Sequence, residues 1–179
     1  ILLPLMLYTA IRVRLSSNGP IFYLQERIGH MGKPFIMYKF RSMYVDAEKN
    51  GPLLSNYADN IITKWGKVMR KWRLDELPQF FNVLFNDMSL VGPRPHMLKH
   101  TEEYRVLVDK YMVRHFAKPG ITGWAQILGY RGETKTVKDM ENRAQADIWY
   151  IENWNFMLDI KIIFKTVSIV FFKKEENAY

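Results

Sequence analysis

Leu74-Asp75-Glu76-Leu77-Pro78-Gln79-Phe80-Phe81-Asn82-Val83-Leu84-Phe85 is the stretch on which the fold and the chemistry turn. Apolar residues at 74, 77, 80, 81, 84 and 85 recur at the helical spacing, and proline is tolerated only in a first turn, so a helix is predicted to start near Asp75. Two adjacent carboxylates then lie at a helix N-terminus. The macrodipole there favours the ionised form and keeps an aspartate available as a nucleophile or metal ligand. A plainer alternative makes Asp75 an N-cap and Glu76 an ordinary first-turn acid. Pro78 weakens that alternative, because it has no N–H to receive a capping bond and leaves only the Leu77 N–H as donor.

Upstream, residues 64–73 carry the cations Lys64, Lys67, Arg70, Lys71 and Arg73, the tryptophans Trp65 and Trp72, and no acid. Spacing of three and four puts Trp65, Val68, Met69 and Trp72 on one helical face. Such a helix either lies in a membrane interface, tryptophans at headgroup depth, or packs its stripe on the core; the period is the same in both. Downstream, Val91-Gly92-Pro93-Arg94-Pro95 sets one arginine between two prolines whose fixed φ angles stiffen the loop. A guanidinium held this way suits bidentate contact with phosphate, whereas in a plain connector it would be solvated. Lys39 and Arg41, flanking Phe40, are further phosphate-facing candidates, or the cations of a solvated strand edge.

Residues 21–25 and 35–40 are rich in β-favouring side chains and are joined by a loop at 29–34, which predicts a hairpin. Residues 46–60 contain Gly51-Pro52 and no sustained period, so a surface loop is predicted. The glycine-rich stretches 118–126 and 129–134 lack the lysine-serine ending of a P-loop and the spacing of a dinucleotide fingerprint. His96 and His100 are spaced to share a helical face, but no zincin glutamate stands between them and metal binding there is disfavoured. Residues 148–172 are apolar and aromatic yet interrupted by Glu152, Asp159, Lys161 and Lys165. Their longest uncharged run, 166–172, is too short to cross a bilayer, so one or two amphipathic helices are predicted, on a membrane surface or on the core. Lys173 and Lys174 end this segment at a polar boundary.

At the other end, residues 1–11 carry no charge, and Arg12 and Arg14 follow at once. That run is short of the roughly 20 residues a spanning helix needs. The first residue is Ile1 rather than Met, which leads us to expect missing upstream sequence and to read residues 1–15 as the back half of a longer apolar segment. Pro4 would bend such a helix, and a segment that enters the membrane, bends and returns would leave the arginines at anionic headgroups. The alternative is a signal-peptide remnant or a buried helix.

The length of 179 residues suits one globular domain. With 26 Lys plus Arg against 18 Asp plus Glu, the formal charge of +8 points to a polyanionic partner: nucleic acid, an anionic membrane or a phosphate-bearing substrate. No cysteine is present, which excludes a disulfide framework, a thiolate zinc site and a cysteine nucleophile, and favours a reducing compartment.

Four blocks then carry a resemblance. Lys39-Phe40-Arg41-Ser42-Met43, Leu74-Asp75-Glu76-Leu77-Pro78-Gln79, Asp87-Met88-Ser89-Leu90-Val91-Gly92-Pro93-Arg94-Pro95 and Lys118-Pro119-Gly120-Ile121-Thr122-Gly123-Trp124-Ala125-Gln126 occur in this order over almost the whole chain. Together they resemble the bacterial sugar transferase family, the monotopic phosphoglycosyl transferases. The expected fold is α+β, mainly helical with a small β-hairpin, an N-terminal re-entrant membrane helix and amphipathic interfacial helices. Residues 1–15 would be the C-terminal half of the re-entrant helix, and 16–179 a catalytic domain at the cytoplasmic face of a bacterial inner membrane.

The resemblance implies transfer of a sugar 1-phosphate from a UDP-sugar to a polyprenyl phosphate, with UMP as the other product. Asp75 would attack the sugar-side phosphorus to give a phosphoglycosyl-enzyme, which the lipid phosphate displaces. Glu76, with Asp75, would hold Mg²⁺. Arg94 matches an arginine suited to phosphate or uridine, Lys39 and Arg41 are weaker donor contacts, and Asp147 matches an acidic position at the family's active site. Pro4, Arg12, Arg14, Trp65 and Trp72 would meet lipid.

Gly129-Tyr130-Arg131-Gly132-Glu133-Thr134 and Arg94-Pro95-His96 resemble the undecaprenyl-phosphate glucose phosphotransferases, which puts UDP-glucose first as donor, with UDP-galactose or an N-acetylated UDP-sugar behind it. Trp72-Arg73 replaces the usual Thr-Ser, Leu128 stands where Asn is typical, and Leu3 precedes Pro4 where part of the family has Ser; none touches the dyad. Two other classes compete. A basic nucleic-acid module on residues 64–73 has no nucleic-acid signature to support it, and a nucleic-acid partner is not expected. A non-catalytic membrane-surface scaffold would tolerate loss of Asp75. The sequence is compatible with a homo-oligomer and does not set its order.

Overall fold

The leading apolar run folds as one helix, α1 (Leu2–Ser16), in a computed structural model that describes residues 2–45, 61–132, 134 and 136–172. The loop expected at 46–60, Glu133 and Lys173-Lys174 lie outside the described residues, as do the side chains of Lys99, His100 and Phe171. Pro4 lies within α1, and the helix runs on from it to Ser16. One face of α1 buries Met6, Thr9 and Val13; Leu3, Leu7, Ile11 and Leu15, spaced four apart, remain exposed. Among the described residues no helix is long and apolar enough to cross a membrane.

Strands β1 (Phe22–Ile28) and β2 (Pro34–Phe40) pair as the expected hairpin, since their connection is far too short for a parallel crossover. β1 runs on to Ile28, past the predicted end, and a 3-10 turn at His30–Gly32 closes the connection with Met31 left-handed at φ 55°. Where length suggested one domain, contacts divide the chain into two units. The first is built on residues up to 25 and 38–81, the second on residues 26–37 and from 82 onward.

In the first unit, Thr63 caps helix α2 (Lys64–Trp72), its Oγ1 accepting from the Gly66 N–H at 2.9 Å. Met6, Val13, Phe40 and Met69 form the core, with Trp65, Leu74, Leu77 and Phe81 packed around it. Trp65 receives the edge of Tyr8 at 5.9 Å and the Arg12 guanidinium at 4.9 Å from its ring centre. The predicted stripe on α2 therefore divides. Trp65 and Met69 turn to the core, and Val68 and Trp72 stay exposed.

The second unit holds a parallel pair that the sequence did not reveal: β3 (Ser89–Val91) and β4 (Gly120–Thr122), with Ser89 opposite Gly120 and Val91 opposite Thr122. Strands this short show no readable period. What holds them is glycine: a Cβ on Gly120 would stand 2.1 Å from the Gly92 nitrogen, so only glycine permits the approach. Helices α4 (Leu98–Leu107), α5 (Trp124–Ile127), α6 (Val137–Glu152) and α7 (Phe156–Phe172) complete the unit.

A reciprocal capping box between Thr136 and Asp139 starts α6, whose inner face carries Met140, Arg143, Ala144, Asp147 and Tyr150. The corner into α7 is fastened by Asp159, which accepts from the Tyr150 hydroxyl at 2.7 Å and the Trp154 indole at 3.1 Å. α7 buries Ile162 and Ile169 and exposes Phe156, Met157, Phe164 and Phe172, so apolar side chains lie on its outer as well as its inner side.

Gly66 gives the packing of the first unit a direct test. A Cβ there would lie 2.0 Å from the Ser42 carbonyl oxygen, which is backbone and cannot swing aside. Gly66→Ala is expected to destabilise by about 1–3 kcal/mol, despite alanine's higher helix propensity. Thermal unfolding checks this, and an unchanged Tm would contradict the docking of α2 on the exit of β2.

Candidate active site

Helix α2 ends on Arg73 in the left-handed region (φ 57°, ψ 23°), with its N–H on the Met69 and Arg70 carbonyls. Leu74–Glu76 then forms a single 3-10 turn, and the helix proper, α3 (Gln79–Leu84), begins only after Pro78. Asp75 and Glu76 thus sit on an elbow between two helices, not at the start of one continuous helix, which corrects the expected boundary. The physical reason is local: the N–H groups of Glu76 and Leu77 close 3-10 bonds to Arg73 and Leu74, both at 3.2 Å, and Pro78 has no N–H to continue an α-helical ladder. The macrodipole argument lapses, since α3 is six residues long and starts beyond the dyad. The N-cap alternative lapses too, because the Leu77 N–H it requires is already bonded to Leu74.

The elbow withdraws one oxygen of the Asp75 carboxyl from water. Its Oδ1 is buried with no hydrogen-bond partner, and Glu76 beside it is buried as well. Lys39, brought in at the end of β2, approaches Glu76 Oε1 with its Nζ at 3.5 Å. Burial first, and then the Glu76 charge, push the Asp75 carboxyl up to about 6, against the opposing pull of Lys39 and Arg70. At neutral pH the group is therefore mainly ionised yet more basic than an ordinary aspartate. An unpartnered carboxylate oxygen next to a second carboxylate is also a hard-oxygen donor set of the kind Mg²⁺ takes alongside water and substrate phosphate.

Arg41 lies in the same unit but has a different task. Its Nη1 and Nη2 donate to the Asn18 and Ser17 carbonyls at 2.7 and 2.8 Å, and Arg14 Nη1 donates to the Gly19 carbonyl at 2.9 Å. Two arginines thus hold the turn that leads out of α1. Burial, then the Arg14 charge, hold Arg41 below the usual arginine range.

Arg94 and Asp147 belong to the second unit. Asp147, on the inner face of α6, is 2% exposed, and its Oδ2 accepts from Arg114 Nε at 3.1 Å and Nη2 at 2.7 Å. Burial pushes the Asp147 carboxyl up against the pull of Arg114; at Arg114 burial is outweighed by Asp147 and Tyr111, and the guanidinium stays charged. Arg143, four residues before Asp147, is buried beside them and donates to the Gly132 carbonyl; burial, then Arg114 and Arg94, push it down to about 10. Sequence reasoning missed Arg114, Arg143 and Tyr111. A signal existed for one of them: Arg143 and Asp147 fall in the helical register of Met140 and Ala144, which the period turns inward.

Because Asp75 titrates higher in the folded chain than at its ordinary value of 3.8, the native state binds the proton more tightly than the unfolded state. Its ionisation therefore costs stability progressively as pH rises from about 4 to about 6, and that cost is complete above it. Asp75→Asn is expected to raise Tm at pH 7, by about 2–4 °C for each kcal/mol relieved, with the gain disappearing near pH 4. Calorimetry in chelator at both pH values checks this; an equal or lower Tm at pH 7 would contradict the strained carboxylate.

Residues 1–173 match the family described as bacterial sugar transferase. A UDP-glucose:undecaprenyl-phosphate glucose-1-phosphate transferase of Klebsiella pneumoniae is 50% identical over 176 residues, 98% of this chain and 37% of the relative. A UDP-N-acetylgalactosamine-undecaprenyl-phosphate N-acetylgalactosaminephosphotransferase of Aeromonas hydrophila is 43% identical over 167 residues, 93% of this chain and 39% of the relative. A Caulobacter vibrioides UDP-glucose:undecaprenyl-phosphate glucose-1-phosphate transferase is 41% identical over 176 residues, 98% of this chain and 65% of the relative. The chain thus spans little more than a third of the first two of these and about two thirds of the third. With the match running through the elbow, the Pro-Arg-Pro segment and both glycine-rich stretches, the chain belongs to the bacterial sugar transferase family.

Proposed function

We propose that the chain is the catalytic part of an enzyme that transfers glucose 1-phosphate from UDP-glucose to undecaprenyl phosphate and releases UMP. The observation that carries this reading is Asp75 Oδ1, a buried carboxylate oxygen with no hydrogen-bond partner, set beside Glu76 on a sharp elbow. A carboxylate left unpaired costs stability, and attack on phosphorus is a use for it. An Asp75 oxygen attacks the sugar-side phosphorus, the bond from that phosphorus to the bridging oxygen breaks, and UMP departs with the bridging oxygen and its electron pair. An oxygen of the lipid phosphate then attacks the same phosphorus and returns Asp75 as a free carboxylate.

Glu76 and Asp75 are the residues that would hold Mg²⁺, which when bound supplies charge neutralisation for the diphosphate. Lys39, at 3.5 Å from Glu76, contributes positive charge at the same place, and Arg94 is proposed to contact the donor's phosphate or uridine. The proposal leaves Arg41 on the Ser17–Asn18 turn rather than on the donor. Asp147 enters through Arg114 and not as a direct donor contact. The Aeromonas relative, named for an N-acetylgalactosamine donor, favours an N-acetylated UDP-sugar as the second reading.

The acceptor is a lipid, so the proposed location is the cytoplasmic face of a bacterial inner membrane, with α1 as part of a re-entrant segment. Leu3, Leu7, Ile11 and Leu15 would enter lipid, with Arg12, Arg14 and Trp72 at the headgroups. The exposed aromatic face of α7 would lie in the interface.

Detergent-solubilised protein carrying this chain, given UDP-glucose, Mg²⁺ and undecaprenyl phosphate, is expected to release UMP, with Asp75→Asn and Glu76→Gln each lower by at least about a thousandfold. Chelation should abolish release and added Mg²⁺ restore it. UMP from Asp75→Asn at the wild-type rate would sink the covalent mechanism, and UDP in place of UMP would make the reaction a glycosyl transfer.

A further inference from the structure

Four consecutive carbonyls of the Pro-Arg-Pro segment are each captured by a donor from elsewhere in the second unit. Pro93 O accepts from the Gly120 N–H at 2.9 Å, Arg94 O from Arg114 Nη2 at 2.7 Å, Pro95 O from Arg27 Nη1 at 3.4 Å, and His96 O from the Ile28 N–H at 3.1 Å. Pro93 and Pro95 have no N–H to offer, so at those two positions the backbone is tied down through its carbonyls. Of these ties, the one on Arg94 itself comes from a charged side chain at full burial.

Arg114 is 2% exposed, and its donors are spread over a defined set of acceptors. Nε and Nη2 meet Asp147 Oδ2, Nη2 also reaches the Arg94 carbonyl, and Nη1 meets His96 Nδ1 and, at 3.4 Å, the Tyr111 hydroxyl. An arginine can only donate, so His96 Nδ1 accepts from Arg114, while Arg143 Nη1 stands 3.4 Å from Nε2 on the other side of the ring. The Tyr111 hydroxyl, 2.6 Å from the same Nδ1, adds a second contact there. A lysine ammonium has no fixed fork to span Asp147 and the Arg94 carbonyl together.

A buried ion pair is a poor device for stability, since apolar residues of equal volume serve as well or better. It is a good device for fixing a backbone. We infer that Arg114 and Asp147 are positioning residues: Asp147 orients Arg114, and Arg114 fixes the peptide from which Arg94 reaches the donor's phosphate. The inference rests on the reading of Arg94 as a donor contact given above. It also gives Asp147 a role in the reaction without direct contact with substrate.

The test is a double-mutant cycle on Arg94→Ala and Arg114→Lys in the full protein, with kcat and KM for UDP-glucose measured alongside Tm. A phosphate contact made equally in the ground and transition states appears in KM, so Arg114→Lys is expected to raise KM by about tenfold with kcat within about threefold. In the Arg94→Ala background the same change should raise KM by no more than about twofold. The paired variant Arg114→Gln with Asp147→Asn, which removes both charges together, should give the same KM rise and covers the case in which Arg114→Lys does not fold. An undiminished effect of the Arg114 change without Arg94 would overturn the inference and leave the Arg94 reading standing. An unchanged KM in Arg94→Ala would overturn both, while UMP release and its dependence on Asp75 would still stand as evidence for the reaction.

Discussion

A carboxylate oxygen kept from water without a hydrogen-bond donor is costly to build, and the first unit is organised so that Asp75 pays that cost. Arg73 adopts a left-handed conformation unusual for a side chain of its size, which ends α2 abruptly, and Pro78 prevents the next helix from starting early enough to absorb the dyad. The intervening 3-10 turn commits the Glu76 and Leu77 N–H groups to the Arg73 and Leu74 carbonyls. Gly66 lets α2 close on the Ser42 carbonyl, and Lys39 meets Glu76 from the end of β2. Each of these local choices is unfavourable or neutral alone; together they hold one carboxylate ionisable but more basic than usual.

The second unit uses charge in the opposite way. Asp147 has Arg114 bonded directly to its Oδ2 and the Arg143 charge beside it. Burial first, and then the neighbouring arginine charge, push Arg143 down to about 10 and His115 down to about 4, so that His115 stays neutral. The formal +8 is therefore not a single patch. Part of it ties turns, as Arg14 and Arg41 do on residues 17–19, and part is spent inside the protein.

The apolar segment at residues 1–15, helix within 148–172, the hairpin and the adjacent carboxylates were legible in the sequence, because each rests on composition or on a residue type with one strong physical preference. The exact start of α3 was not, since periodicity in residues 74–85 is indifferent to whether the first turn is 3-10 or α, and the left-handed Arg73 has no compositional mark. β3 and β4 escaped notice because they are three residues each and owe their pairing to glycines at close approach. Arg41 beside Phe40 read as phosphate-facing; its partners are backbone carbonyls of a turn more than twenty residues away, which no local pattern encodes. The network around Arg114 is similar: its members come from three separate stretches, and only the inward register of Arg143 and Asp147 announced it.

The central claim is that Asp75 carries the phosphosugar between donor and lipid. Rapid acid quench of the protein with UDP-glucose and Mg²⁺, without lipid acceptor, followed by intact-mass and peptide mass spectrometry, tests it most directly. The account predicts a mass increase of one hexose phosphate, mapped to the peptide containing Asp75, formed in step with UMP and lost on adding undecaprenyl phosphate. UMP release at full rate only when lipid acceptor is present, with no adduct at any time, would contradict it.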